Sequence, residues 1–519
     1  MISIILIFLK YILLIALIPI VYVCATMIIP QYFTWRKYKK YRNVYTTPKF
    51  IPLLGDFYTY AKNMSQGKTY YAHLDDKTKI LKDYDMELIF EGPTSVLQVV
   101  SHEAHREFEY LQPDSIDRYP ELTSVGQMMS NTFGNGRSDE DFHYRKKSFF
   151  KLLSFNRSSH YIPMMVEGLE RLTTEWVETG RQVDVIGELF RQNFSVLTQI
   201  LFGRDTGEIM KKKRPFKQDN GEYVMLDLCQ LFLRTTDAYV DQYLSPFTIF
   251  MPFVNKYKLV EPFKRNAENN ETLRKAFREA IAYTKDESSV LYSLRDALKD
   301  TDPEGMLDDL VGVTMAGIDT SAHAFCATLY FLKTHPEKLV KLQKELADNG
   351  LDGSTDMIKH YNKNTIEKLN YLHCVVKEAL RLDPPAIDSL NYICVKDCKI
   401  CGVEIKKGQR TKINLFASNH SYNDYHRPFE FMPERFEPES EYFTRPADGK
   451  PRSVYSYIPF SHGLRGCPGL SYAVLQIRVA IGFVCAKLDC EVDPELMKKE
   501  GVGFAVRSGF DMHATFTRR

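Results

Sequence analysis

Residues 11–35 carry no charged side chain and are rich in Ile, Leu and Val; a stretch of roughly 20 such residues is enough to cross a bilayer. Pro19 and Pro30 would kink or end such a helix, which membrane helices tolerate. Arg36, Lys37, Lys39, Lys40 and Arg42 follow at once, against Lys10 alone before it. The positive-inside rule then places everything after residue 36 in the cytosol. A cleaved signal peptide fits less well, because the run ends in basic residues without a small-residue cleavage site. Residues 36–55 read as a basic linker punctuated by Pro48, Pro52 and Gly55. Residues 86–90 and 96–100 read as short strands around a turn at Gly92-Pro93. From 100 to 380 the apolar period is mostly near 3.6, as in 337–347, which Pro336 opens. Short strands return over 391–413, with Gly402 and Gly408 as turn markers, and a last helix runs from Pro468 to about 488. The pattern predicts a mainly α domain with a small β portion, over 56–519, behind an anchor helix (1–35) and a linker (36–55).

Composition narrows the function classes. A chain of 519 residues with 44% hydrophobic content can bury a large core and still enclose a cofactor. A net charge of +2 gives no strong pull on nucleic acid, and no nucleic-acid partner is expected. Ten scattered cysteines are far too few for a disulfide scaffold and fit reduced thiols facing the cytosol. The basic run 211–214 reads as a solvated loop.

The strongest chemical signal is the segment 460–469, Phe460-Ser461-His462-Gly463-Leu464-Arg465-Gly466-Cys467-Pro468-Gly469. Three glycines around one cysteine let the backbone turn sharply and approach something flat and bulky. Pro468 suits the first turn of a helix, which places Cys467 at its N-terminus, where free amides and the helix dipole favour a thiolate. Arg465 can pair with a carboxylate such as a haem propionate. A thiolate so held is a good axial ligand to haem iron and favours O–O cleavage. Two weaker signals lie upstream. Glu378 and Arg381 stand three apart on one helix face and can pair. In Ala316-Gly317-Ile318-Asp319-Thr320-Ser321 a mid-helix glycine costs about 1 kcal/mol, and Thr320 can bond back one turn and bend the helix.

These segments resemble the cytochrome P450 family. Phe460, Gly463, Arg465, Cys467 and Gly469 match every fixed position of its haem-binding signature. Glu378-Ala379-Leu380-Arg381 resembles its E-x-x-R helix, and residues 431–436, with Arg435, its meander. The segment 316–321 resembles its distal-helix motif. The resemblance covers nearly the whole chain after the linker. It implies the cytochrome P450 fold, haem b with Cys467 as the metal ligand, and a buried structural triad of Glu378, Arg381 and Arg435. It also implies Asp319 and Thr320 as the catalytic pair that relays protons. The implied reaction is mono-oxygenation of a lipophilic substrate, with electrons from NADPH-cytochrome P450 reductase docking near the Cys467 side. The implied location is the endoplasmic reticulum membrane, with one N-terminal anchor and a cytosolic domain. By the same analogy residues 113–133 and 225–260 shape the substrate pocket.

Two positions depart from the family. Its Trp four residues before an Arg has no counterpart in residues 141–147; Arg145 or Lys146 is expected to reach a propionate, and Arg145 is the chosen candidate. A second arginine is missing at Leu390-Asn391-Tyr392. Cys394, Cys398 and Cys401 mimic metal spacing, but they lie in 392–407, which reads as two strands around a turn, with no fourth ligand nearby. The alternatives are a haem-thiolate isomerase or dehydratase acting on a peroxide, against which the Asp319-Thr320 pair argues, and a non-catalytic haem- or lipid-binding membrane protein.

Overall fold

The computed structural model describes residue 17 and residues 20–66, 70–118, 128–298, 302–492 and 512–519. Most of the apolar segment 11–35 is thus covered from residue 20 onward, while its first turns, and residues 119–127 of the expected pocket segment, lie outside the described residues. The chain divides into two compact units, residues 1–116 with 391–414, and residues 117–390 with 415–519.

The smaller unit carries most of the β structure. A π-helical turn over Cys24–Ile28 continues into helix α1 (Ile29–Tyr38), so the basic cluster 36–42 starts inside a helix rather than after it. Strands β1 (Val44–Thr46), β2 (Met86–Glu91) and β3 (Thr94–Val99) follow, then helix α2 (His102–Tyr110). β1 runs parallel to β2, and β2 pairs antiparallel with β3 in the register Leu88↔Leu97. The turn between them uses Gly92 at φ 59°, a left-handed conformation that a side chain would strain. The segment expected to hold two strands around a turn holds three: β4 (Tyr392–Cys394), β5 (Cys398–Ile400) and β6 (Val403–Ile405). β7 (Arg410–Ile413) then lies parallel to β3 and antiparallel to β4. β2 is buried on both faces, which is why its sequence lacks a clean polar alternation.

The larger unit is helical. Its helices are α3 (Glu140–Leu152), α4 (Ile162–Thr179), α5 (Val185–Phe202), α6 (Leu228–Leu244), α7 (Glu261–Tyr283), α8 (Pro303–Thr334), α9 (Pro336–Asp348), α10 (Asn370–Leu382) and α11 (Leu470–Lys487). α8 is the longest element, opened by Pro303 at its first turn with the Asp302 side chain accepting from the Glu304 amide. It packs against α5, α10 and α11. Leu307, Leu310, Val311, Ile318, Phe325 and Leu329 of α8 are all buried, and each such side chain contributes about 1.5–3 kcal/mol. Among the described residues, α11 is the one helix long and apolar enough to cross a membrane, and 72% of it is buried inside this unit. A small sheet of β8 (Leu488–Val492), β9 (His513–Arg518) and Val183–Asp184 closes the unit, with Trp176 stacked on Phe516 at 4.5 Å. The basic run 211–214 departs from expectation: Arg214 is buried in a hairpin strand and donates to Glu279 at 2.9 Å, because its strand packs on α7.

Candidate functional site

The segment 460–469 folds as a tight loop that precedes α11. Ser461 (φ 57°) and Gly463 (φ 64°) turn the backbone back on itself. The Cys467 amide then donates to the Phe460 carbonyl at 2.9 Å, and the Gly466 amide to the Gly463 carbonyl at 3.1 Å. A Cβ at Gly466 would stand 3.3 Å from the Gly463 carbonyl, a tight fit that favours glycine there. The first helical residue is Leu470, so Cys467 stands three positions before α11 rather than at its first turn. Its sulfur nevertheless receives the amides of Gly469 and Leu470. Burial pushes the Cys467 thiol up, and the Gly469 amide, the Lys146 charge and the Leu470 amide pull it down without cancelling that burial. The side chain is at once exposed at its surface and surrounded by dense protein.

Cations gather beside this sulfur. Lys146 on α3 donates to the Leu464 carbonyl at 2.5 Å, and its ammonium is pulled down to about 8 by burial and by Arg465, against the pull of Cys467. Arg465 is held by Ser138 Oγ (3.0 Å), the Gly136 carbonyl (2.7 Å), the Phe133 carbonyl (3.3 Å) and Asp117 (3.4 Å), with its guanidinium 3.7 Å above the Phe142 ring. Asp117 pays for its burial with hydrogen bonds from Ser138 and the Arg118 amide and with the Arg465 charge, which together hold it below the usual carboxylate range. Arg137, in the same 133–138 loop, has a buried Nη1 with no partner among the described residues.

Arg145 does not join this cluster. Its donors go to Asp309 (2.7 Å), Asp141 (3.0 Å) and the carbonyls of Asn131 (2.7 Å) and Gly305 (2.8 Å), which tie α3 to the start of α8. The cation turned toward Cys467 is Lys146, which follows Phe142 by four residues. That is the family's aromatic-to-cation spacing with Phe and Lys in place of Trp and Arg. Lys146 is one of the two cations named from sequence, whereas Asp117, Arg118 and Arg137 lie outside every motif and are not.

On α8, Thr320 donates to the Ala316 carbonyl at 2.6 Å, the back-bond expected from sequence. A side chain at Gly317 would stand 2.9 Å from the Leu197 side chain of α5, so the glycine eases the close packing of α5 there. Asn193 of α5 donates to the Ile318 carbonyl at 3.3 Å. Burial raises the Asp319 carboxyl, partly offset by His323 one turn on. His323, itself buried, meets Asp383 at 3.1 Å, at the C-terminal end of α10.

Glu378, Arg381 and Arg435 come together with no solvent exposure. Arg381 makes a fork to Glu378 at 2.8 and 2.9 Å, and Arg435 Nε donates to the same carboxylate at 3.0 Å. The Met432 amide adds a fourth bond at 3.0 Å.

The family profile described as cytochrome P450 matches residues 47–508. The chain is 25% identical to cytochrome P450 26A1 of Gallus gallus over 65% of this chain and 64% of the relative's length. It is 24% identical to cytochrome P450 3A11 of Mus musculus over 84% of this chain and 83% of that relative. A shorter match, 30% identical, joins it to cytochrome P450 4V2 of Rattus norvegicus over 46% of this chain and 40% of the relative.

Proposed function

The chain belongs to the cytochrome P450 family of haem-dependent mono-oxygenases, and from that premise we propose that it inserts one oxygen atom of dioxygen into a lipophilic substrate, with Cys467 as the thiolate ligand to haem. The observation that carries this reading is the exposed Cys467 sulfur on the tight loop before α11, with the amides of Gly469 and Leu470 directed at it. The surrounding residues fit a flat, anionic cofactor. Phe460, Gly463 and Gly469 shape the loop beneath the ring, while Lys146, Arg465 and the unpartnered Arg137 nitrogen suit its propionates. Arg145 holds α3 against α8 and so positions Lys146 without taking a propionate itself.

Bound haem supplies the activation of dioxygen. The chain's own contribution from α8 would be proton management. Thr320 spends its proton on the Ala316 carbonyl, which leaves its oxygen free to accept from a water. Asp319, whose burial favours the protonated form, is the acid that restores that water's proton. A separate NADPH-dependent reductase supplies electrons on the Cys467 face. The segment 1–35 serves as the single anchor in the endoplasmic reticulum membrane, 36–55 as the linker, and the catalytic domain (56–519) lies in the cytosol.

The test is spectroscopic. Reduced protein mixed with carbon monoxide gives the red-shifted band of a thiolate ligand, and Cys467→Ala abolishes it. A folded, haem-loaded protein without that band overturns the assignment. Protease added to sealed microsomes digests the domain if the orientation is right, and leaves it intact if the orientation is reversed.

A further inference from the structure

We propose that Cys394 and Cys398 form an oxidation-sensitive dithiol that closes reversibly to an intramolecular disulfide when it meets hydrogen peroxide. The two sulfurs lie 3.4 Å apart across the turn that joins β4 to β5, within the smaller unit. A disulfide bond is about 2.0 Å long, so closure needs an approach of only about 1.4 Å. Rigid neighbours hold the pair in place. The Cys394 amide donates to the Gln409 carbonyl at 2.9 Å, and its carbonyl accepts from Gly408 at 2.7 Å. Cys398 stands opposite Ile405 in the β5–β6 ladder. Asp397 staples the turn by accepting from the Lys407 amide and the Lys406 ammonium, both at 2.8 Å.

The two thiols are unequal in a useful way. Cys394 is buried, at 1% exposure, while Cys398 is partly open to solvent. As a thiol, Cys394 faces the Lys396 carbonyl at 2.7 Å. As a thiolate it accepts the Cys398 proton and amides of the turn, and those hydrogen bonds draw it below an ordinary thiol. The pair therefore shares its last proton and reaches a singly charged state more readily than two isolated cysteines. Lys37 of α1 lies within electrostatic reach of Cys394. Cys401, by contrast, sits beyond β5 at φ 46°, with its amide bound to Glu107 at 2.7 Å and its thiol pushed up to about 12 by burial and nearby carboxylates. No group of three or more His, Cys, Asp or Glu among the described residues could hold a metal.

The chemistry balances. Transfer of the shared proton from Cys398 to Cys394 puts the charge on the solvent-facing sulfur, and that Cys398 thiolate attacks one peroxide oxygen; the O–O bond breaks, Cys398 becomes a sulfenic acid and hydroxide leaves. The Cys394 thiolate then attacks the Cys398 sulfur; the S–S bond forms, the S–O bond breaks and a second hydroxide leaves. The two thiol protons convert both hydroxides to water. The sulfurs together lose two electrons and peroxide gains two. The ring spans only three intervening residues, so closure reports local geometry rather than global stability.

This inference stands independently of the functional reading above. The experiment treats the full-length folded protein with hydrogen peroxide, blocks remaining thiols with an alkylating agent and digests it with trypsin. Lys396 lies between the two cysteines, so trypsin separates peptides 382–396 and 397–399 unless a disulfide joins them. The expected product is that linked pair, two hydrogens lighter than the sum of the two peptides and released by dithiothreitol. Cys398→Ser returns alkylated Cys394 in peptide 382–396, while Cys401→Ser leaves the linked pair unchanged. Recovery of both cysteines alkylated after peroxide, or of Cys394 linked to Cys401, overturns the proposal. So does loss of the linked pair in Cys401→Ser.

Discussion

Glu378→Gln is the sharpest test of the buried triad. One carboxylate serves two guanidinium groups there, and none of the three side chains has solvent exposure. The charge count is already short by one: burial and the like charge of Arg381 bring Arg435 down to about 10 even with Glu378 present. Arg381 goes the other way, because the Glu378 charge and fork outweigh its burial. Both arginines have further anchors. Arg381 donates to the carbonyls of Asn419 (2.9 Å) and Pro428 (2.7 Å), and Arg435 to that of Arg427 (2.7 Å). The cations are therefore not free to swing out when the carboxylate goes. Removing one partner of a buried ion pair costs about 3–5 kcal/mol. At about 1.4 kcal/mol per tenfold, that lowers the folded-to-unfolded ratio roughly 10²- to 10⁴-fold. Arg435→Met should cost less, because it leaves a one-to-one fork between Glu378 and Arg381. Chemical denaturation of the two variants, followed by circular dichroism beside haem content, measures the order. Equal stability of Glu378→Gln and the parent, or a larger loss in Arg435→Met, refutes the charge argument.

Three further outcomes follow from the site. Thr320→Ala should keep haem and NADPH consumption but raise the share of electrons recovered as hydrogen peroxide; an unchanged ratio of product to NADPH makes Thr320 a packing residue only. Lys146→Met should lower haem retention with little change in the denaturation midpoint, and Arg145→Met should do the reverse, since it breaks three bonds between α3 and its neighbours; dialysis against apomyoglobin and a denaturant titration separate the two. Burial alone would lower the His323 value, but the Asp383 charge and hydrogen bond, with Asp319, raise it above the ordinary imidazole value of about 6.5. The stability it adds is complete below about pH 6.5 and is lost as pH rises through the higher folded value. The gap in denaturation midpoint between the parent and His323→Gln should therefore shrink with rising pH above 6.5, and a gap independent of pH sinks the pairing.

What could be read from the sequence, and what could not, follows from the range of the forces involved. The Cys467 loop was legible because its constraints are local: glycines where the backbone reverses, an arginine two positions away and a helix start behind it. Glu378 and Arg381 were legible as a pair for the same reason, three apart on α10, whereas Arg435 came only through the family's meander. The hairpin expected over 86–90 and 96–100 around the Gly92-Pro93 turn forms over 86–91 and 94–99. Some misreadings are local, such as the third strand over 392–407, but others concern partners distant in sequence. Arg214 looked like part of a solvated basic run until Glu279, on a helix that packs against its strand, gave it a burial site. Arg145 and Lys146 both stood as candidates from sequence, and Asp309 and Gly305, 164 and 160 positions away, engage the Arg145 guanidinium. The phase of α3 bears on the other candidate. Phe142 and Lys146 are one turn apart on one face, and that face already carries the Arg465 contact through Phe142 and the Leu464 contact through Lys146. A cation chosen by helical phase from Phe142, rather than by residue type, would have been Lys146, so the informative property at this position is spacing and the identity of the cation is secondary.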